Sequence, residues 1–127
     1  MMSPALRLPP ITVTTEDIRY LNVLALSGAR HAESLVREIE RANVIPPHQA
    51  LPGLVRMGSL VKYRDNTTGR VRDVTLVYPH EIDEEANRVS VLTPVGVALI
   101  GLSVGQTIEF ETPDRKKGSL TVVDVQD

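Results

Sequence analysis

Apolar residues recur at helical spacing twice in the first third of the chain. One series begins at Ile18 and follows the segment TTED, in which Thr14 can cap a helix and the acidic side chains suit its first turn. The segment HAESLVREIERAN, residues 31–43, repeats the spacing. Because Gly28 interrupts the pattern between them, we predict two helices joined as a helical hairpin, with arms of about a dozen residues that reach ~18 Å.

The pattern changes from helical to alternating after a proline-rich stretch. Residues 46–54 hold three of the nine prolines and have no sustained period, which is typical of a linker. Segments rich in β-branched and aromatic residues follow, and this composition predicts strands. The predicted strands are residues 59–64, 70–78, 88–92, 107–111 and 119–125.

These elements predict an α+β fold in which an antiparallel sheet packs around one short helix. A chain of 127 residues supports one compact core, or a core with a small appendage. We therefore divide it into an N-terminal helical hairpin (1–45), a proline-rich linker (46–54) and a C-terminal sheet domain (55–127). The predicted core of the sheet domain includes Val61, Leu76, Val91, Leu99, Ile108 and Val122.

The segment GVALIGLS, residues 96–103, has two interpretations. Its spacing of Gly96 and Gly101 is close to that of a phosphate-binding loop, but Leu102 stands where such a loop needs lysine. The alternative is a short helix over 94–100, with Thr93 as N-cap, a proline in the first turn and Gly101 just beyond the end. The helix explains both glycines without a ligand, so we favour it.

Composition narrows the possible functions. The net charge of -2 argues against bulk electrostatic binding to nucleic acid or to anionic lipid. The chain has no cysteine, which excludes disulfides, thiolate catalysis and cysteine-ligated zinc. Its longest apolar stretch, residues 95–102, is far short of the ~20 residues that span a bilayer. We expect a cytoplasmic protein that does not bind membranes.

Two groups of polar residues are candidates for a catalytic site or a metal site. The segment HEIDEEANR, residues 80–88, is rich in acids, but its spacing matches neither a calcium loop nor a zinc site. His31, His48 and His80 are scattered along the chain, and no local signature of a catalytic triad accompanies them. We predict no catalytic residue, no metal site and no cofactor.

A basic surface is a stronger candidate for a binding site. If residues 65–69 form a turn, Arg64 faces Arg70 and Lys62 faces Arg72 across the resulting hairpin. Like charges directly opposite one another destabilise a sheet, so four cations on one face suggest an acidic partner. The alternatives are a bulge near Arg72 or neutralisation by neighbouring acidic residues.

Several segments carry a family resemblance. TLVYP, SVLTPVG and ALIGLSVG are the most specific pieces of a similarity that is strong over residues 58–113. These segments resemble the C-terminal domain of the bacterial Gre transcript-cleavage factors. The resemblance extends through the helical segment to a branch of the family known as regulators of nucleoside diphosphate kinase, so it covers nearly the whole chain.

The resemblance implies an FKBP-like C-terminal domain with a shortened N-terminal coiled coil. In the Gre family this domain docks on RNA polymerase at the rim of its secondary channel, and the hairpin points into the channel. The chain departs from the family at two positions: Gln106 replaces a common acidic residue, and Val97 replaces a basic one. The polar contacts that the family makes through those two residues are therefore not expected in this protein. The docking surface implied here consists of Leu92, Thr93, Pro94, Val95 and Gly96, with the basic residues as possible additions.

The predicted hairpin tip differs from that of the cleaving factors, which present a pair of acidic side chains for a second Mg²⁺. Here the tip residues are Gly28, Arg30, His31 and Glu33, with one carboxylate only. We therefore expect a polymerase-binding regulator that competes with Gre factors without inducing cleavage, and without sequence-specific contacts to nucleic acid. Direct regulation of nucleoside diphosphate kinase and FKBP-like prolyl isomerisation are the alternatives, the second disfavoured by a chain with one Phe, three Tyr and no Trp.

Overall fold

The computed structural model describes residues 8–83, 85–112, 114 and 116–126. Within this part of the chain the fold is mixed α+β, as predicted, with one five-stranded sheet, a two-stranded parallel pair and three α-helices. None of the described helices is long and apolar enough to cross a membrane.

The first two helices contact each other, as the apolar spacing predicts. Helix α1 covers Thr15–Ala25 and α2 covers Ala32–Arg41. Thr14 caps α1, since its hydroxyl oxygen accepts a hydrogen bond from the Asp17 N–H at 3.1 Å. Their flanking segments form a short parallel pair that we did not predict, between β1 (Thr12–Thr14) and β2 (Asn43–Ile45). A pair of three-residue strands gives almost no periodic signal in a sequence.

The main sheet contains all five predicted strands. They are β3 (Leu60–Asp65), β4 (Val71–Val77), β5 (Arg88–Ser90), β6 (Thr107–Glu111) and β7 (Lys117–Gln126), in the order β5-β4-β3-β7-β6.

The expectation of a wholly antiparallel sheet is wrong at one edge. Strand β5 pairs with β4 in parallel, with Leu76 opposite Val89. Residues 78–87 include a 3-10 turn, Pro79–Glu81, and carry the chain back before β5 begins. A tight hairpin turn would have forced the antiparallel arrangement, whereas a longer connection permits a parallel one.

A third helix, α3 (Pro94–Leu99), contacts β6, and its last four residues are buried. The core prediction is confirmed, because all six named residues are at most 2% exposed. The same cluster of buried side chains includes Leu21 from α1 and Leu35 from α2. The helices therefore pack onto the core that the sheet builds.

Candidate partner-binding site

Short-range hydrogen bonds between residues 90 and 96 hold the segment that leads into α3. The Ser90 hydroxyl oxygen accepts from the Leu92 N–H at 3.0 Å, and the Thr93 hydroxyl donates to the Ser90 carbonyl at 2.7 Å. The Thr93 hydroxyl oxygen in turn accepts from the Gly96 N–H at 3.0 Å, which is the N-cap that the sequence predicts.

Gly96 is required by close packing. A Cβ placed on this residue would lie 2.1 Å from the Ser90 carbonyl oxygen and 2.8 Å from the Val91 Cα. Leu102, at the position where a phosphate-binding loop has lysine, is fully buried. The helix interpretation of this segment is confirmed, and Gly101 follows the helix with a φ of 82°.

The predicted docking residues form a half-buried surface around the start of α3. Leu92, Thr93, Pro94 and Val95 are each partly exposed, while Gly96 is buried beneath them. Apolar side chains held by a fixed backbone can pack against a partner without first being ordered, which lowers the entropic cost of association.

A cleft of about 550 Å³ connects this surface with the predicted hairpin tip. Arg30 and His31 from the tip line it together with Pro94 from α3 and Phe110 from β6. No local pattern in the sequence indicates this cleft, because it forms between α2 and the elements α3 and β6, which lie far along the chain. Two residues of the tip, Arg30 and His31, therefore share a cleft with one of the predicted docking residues, Pro94.

The tip itself is an exposed turn. Gly28 and Arg30 are exposed, His31 is half-buried, and Glu33 is an exposed carboxylate in the first turn of α2. His31 has a φ of 70°, and its side chain makes no capping hydrogen bond to the helix. The tip thus presents two basic-type side chains and one acid.

Glu38, which lines the cleft on the α2 side, forms an ion pair with Arg41. Glu38, which is 8% exposed, lies 2.6 Å from the Arg41 guanidinium. Burial raises the pKa of the Glu38 carboxyl, and the hydrogen bond and charge of Arg41 oppose that rise. Arg41 also donates to the Pro9 carbonyl, so the end of α2 is tied to the chain that precedes β1.

The two family departures have structural roles of their own. Gln106 accepts from the Ser103 N–H at 2.9 Å and donates to the Pro10 carbonyl at 3.1 Å. Val97 is 7% exposed and lines the cleft. A charged side chain at either position would disturb these contacts.

The predicted face of four cations is wrong in its register. Lys62 pairs with Asp73 rather than Arg72, while Arg64 pairs with Val71. Arg72 lies opposite Tyr63, so it belongs to the other face of the sheet.

The physical reason for the shift is Asp65, which belongs to strand β3 instead of the turn. Its backbone N–H donates to the Arg70 carbonyl, and its carboxylate accepts from the amides of Thr67 and Thr68. The connection therefore begins one residue later than predicted, at Asn66, and a one-residue slip in the pairing moves the side chains of β4 to the other face relative to β3. All four basic residues, Lys62, Arg64, Arg70 and Arg72, are nevertheless exposed.

The acidic segment at 80–88 serves to close a turn. Glu81 accepts from the Tyr78 N–H, and Asp83 accepts from the amides of Glu85 and Ala86. Glu84 lies outside the described residues. Among the residues that are described, no group of three or more His, Asp or Glu side chains could hold a metal ion.

Comparison with known proteins assigns the chain to a family. The profile of the family described as "Transcription elongation factor, GreA/GreB, C-term" matches residues 49–127. The "Regulator of nucleoside diphosphate kinase" of Escherichia coli K12 is 34% identical over 122 residues, which cover 93% of this chain and 90% of that protein. The chain therefore belongs to the GreA/GreB family and is a transcription-elongation-factor-like regulator.

A second relative in sequence and a solved structure show how far along the chain the similarity extends. Transcription elongation factor GreA of Rhodospirillum rubrum is 36% identical over 89 residues, which cover 67% of this chain but only 57% of that factor. The solved structure of a prokaryotic transcription elongation factor GreA/GreB from Nitrosomonas europaea aligns with a TM-score of 0.75 and 31% identity, over 94% of this chain and 100% of that one. The fold thus agrees along nearly the whole chain.

Proposed function

We propose that this protein binds RNA polymerase at the rim of the secondary channel and does not induce transcript cleavage. In this proposal residues 55–127 act as an FKBP-like docking domain, and residues 1–45 act as a shortened helical hairpin. Family membership supports the partner, since Gre factors act on polymerase through the C-terminal domain.

The observation that carries the proposal is the composition and reach of the tip. Helix α1 has 11 residues and α2 has 10, so each arm extends only ~15 to 17 Å. Glu33 is the single carboxylate among the predicted tip residues, with Arg30 nearby in sequence. A second catalytic Mg²⁺ needs several oxygen ligands, and one carboxylate beside a guanidinium supplies a poor site.

The docking part of the proposal rests on the segment Leu92–Gly96. Its backbone is held by Ser90 and Thr93, and its apolar side chains are partly exposed. Val95→Asp should therefore weaken polymerase binding by placing a charge in a desolvated contact. Val104→Asp is the matched control, because Val104 is an exposed valine in a different turn.

Two assays test the proposal together. Tagged protein should capture polymerase subunits as its dominant partner from cell extract, and Val95→Asp should reduce this capture while Val104→Asp does not. The purified protein is then added with Mg²⁺ to a backtracked elongation complex. We expect no shortened RNA, and we expect inhibition of cleavage when a Gre factor is also present. Shortened RNA above the polymerase's own background would contradict the non-cleaving role.

The basic residues provide a separate test of an acidic contact. The observed register puts Lys62 opposite Asp73, which weakens the case for Lys62. Arg72 lies opposite Tyr63 and is exposed, and Arg70, whose carbonyl accepts from the Asp65 N–H, is exposed as well. Replacing Arg70 and Arg72 by Glu should weaken polymerase binding most at low salt. Unchanged affinity at low salt would remove them from the docking surface.

Direct regulation of nucleoside diphosphate kinase is a second candidate, favoured by the name of the E. coli relative. Adding the purified chain to purified kinase and measuring phosphoryl transfer distinguishes a direct effect from a transcriptional one. Prolyl isomerisation has less support, because its apolar pocket needs converging aromatic rings. Here Tyr63 is in the core, Phe110 lines the cleft, and Tyr20 pairs with Tyr78 elsewhere.

A further inference from the structure

A second depression, of about 510 Å³, lies between α1 and the 3-10 turn Pro79–Glu81. We call it the Tyr20 groove; among the residues that line it are Glu16, Asp17, Tyr20, Val23, Tyr78 and Glu81. It shares no lining residue with the cleft beside α3. The groove is therefore a separate depression from the cleft beside the proposed polymerase-docking segment.

The groove exposes apolar and aromatic surface. Tyr20 is 57% exposed and Val23 is 69% exposed, both on α1. The Tyr20 ring meets Tyr78 edge to face, with centroids 5.9 Å apart, and Tyr78 stacks on His80 at 6.2 Å. Exposed aromatic surface of this kind marks interaction sites, and the ring faces carry partial negative charge.

The charges around the rings are also negative. The three carboxylates Glu16, Asp17 and Glu81 line the groove, and its described lining contains no lysine or arginine. Glu16 is exposed and makes no hydrogen bond or ion pair with a described residue, so it is available to a ligand. Arg56 acts on Asp17 from outside this lining.

The carboxylate of Asp17 is nearly buried at the wall of the groove. The residue is only 8% exposed, its Oδ2 accepts from the Met57 N–H at 3.1 Å, and its Oδ1 accepts no hydrogen bond from a described residue. Burial raises the pKa of the Asp17 carboxyl. Burial also raises the pKa of Tyr78, and the nearby carboxylates reinforce that rise. Desolvation is the main cause of both rises, and Glu16 contributes to each of them through its charge. The preference for a cation rests on the three carboxylates that line the groove.

We propose that the Tyr20 groove binds an arginine side chain carried by a protein partner, with the guanidinium against the Tyr20 ring and paired with Glu16. Arginine fits better than lysine, because a planar guanidinium can stack on an aromatic face while its N–H groups bond a carboxylate. Val23 and the ring edges accommodate the aliphatic part of the side chain.

Chemical-shift mapping by NMR on the full chain tests this assignment. The probe is the peptide acetyl-Gly-Arg-Gly-amide at low ionic strength, compared with the same peptide carrying citrulline, which keeps the shape of arginine and removes its charge. The arginine peptide should shift the resonances of Tyr20, Tyr78 and Met57. The citrulline peptide should bind roughly fivefold more weakly.

Variants separate the groove from general attraction to acidic surface. Glu16→Gln should weaken binding of the arginine peptide about two- to fivefold. Tyr20→Leu should weaken it by a similar factor through loss of the ring face. Glu40→Gln is the matched control, since Glu40 is an exposed helical glutamate on α2 outside the groove, and it should have no effect.

Several outcomes would overturn the proposal. Equal shifts with citrulline or with a leucine peptide would show that charge is irrelevant. Shifts spread over all exposed carboxylates, or equal losses in Glu16→Gln and Glu40→Gln, would show nonspecific attraction. Concentration-dependent shifts at Tyr20 without peptide would assign the groove to a second copy of the chain. None of these outcomes affects the polymerase assays, so the two proposals can fail separately.

Discussion

The start of α3 and the tip between α1 and α2 line one cleft, but they are held in different ways. At the start of α3, Ser90 and Thr93 bond the backbone, and Gly96 lies directly against Ser90. At the tip, a Cβ added to Gly28 would meet nothing within 4 Å, and His31 adopts a left-handed conformation without a capping bond. Hydrogen bonds and close packing against the end of β5 fix the first segment, whereas the shape of the second depends mainly on backbone conformation.

Gly96→Ala should give the largest effect and is the sharpest test of this contrast. The new methyl group would overlap the Ser90 carbonyl at 2.1 Å, and neither backbone can move without displacing α3 or β5. We expect a loss of more than about 4 kcal/mol in the free energy of unfolding, measured by urea denaturation. A loss below about 1 kcal/mol would mean that α3 sits farther from β5 than described.

Leu99→Ala tests the packing beneath the same segment. Leu99 is fully buried in the core, so its truncation should cost about 2 to 5 kcal/mol through lost burial and a residual cavity. Leu51→Ala is the control, because Leu51 is 77% exposed and its truncation should change stability by less than about 0.5 kcal/mol. Similar losses of stability in the two variants would contradict the burial of Leu99 in the core.

The features of α3 could be predicted because they are local. A threonine followed by a proline specifies the start of a helix, and a glycine after four apolar residues specifies its end. Each signal lies within one helical turn of the end that it specifies. Thr93, Pro94 and Gly101 occupy these positions in the structure. The burial of Leu99 follows from the same pattern, since the side chains of a short, wholly apolar helix are stabilised by removal from water.

The features that escaped prediction depend on pairing between distant or ambiguous segments. The β3–β4 register depends on whether Asp65 belongs to the turn or to the strand. In the structure Asp65 ends the strand, and its carboxylate accepts hydrogen bonds from two amides of the turn. The parallel pairing of β5 depends on the path of residues 78–87. The cleft depends on the position of α2 relative to α3 and β6, which no local pattern encodes.

Gly28→Ala should have a smaller effect than Gly96→Ala, and the comparison between these two variants is the point of the experiment. Gly28 has a φ of 73°, which an L-residue adopts at a cost of about 1 to 2 kcal/mol. The lower entropy of the unfolded chain with alanine offsets roughly 0.5 to 1 kcal/mol of this cost, and the methyl group itself meets open space. Urea denaturation should therefore show a loss of about 1 kcal/mol. A loss as large as that of Gly96→Ala would reveal tertiary contacts at the tip and would remove the contrast between the two segments.

His31→Gly should have the smallest effect, and with the opposite sign. His31 has a φ of 70°, so glycine relieves a backbone cost of about 1 to 2 kcal/mol. Glycine also adds roughly 0.5 to 1 kcal/mol of conformational entropy to the unfolded chain, which offsets part of the gain. We expect a net stabilisation of up to about 1 kcal/mol by urea denaturation. His48→Gly is the control, since His48 does not have a positive φ and should only lose stability. If His31→Gly loses as much as His48→Gly, the imidazole makes stabilising contacts in the cleft, and the tip is held by packing after all.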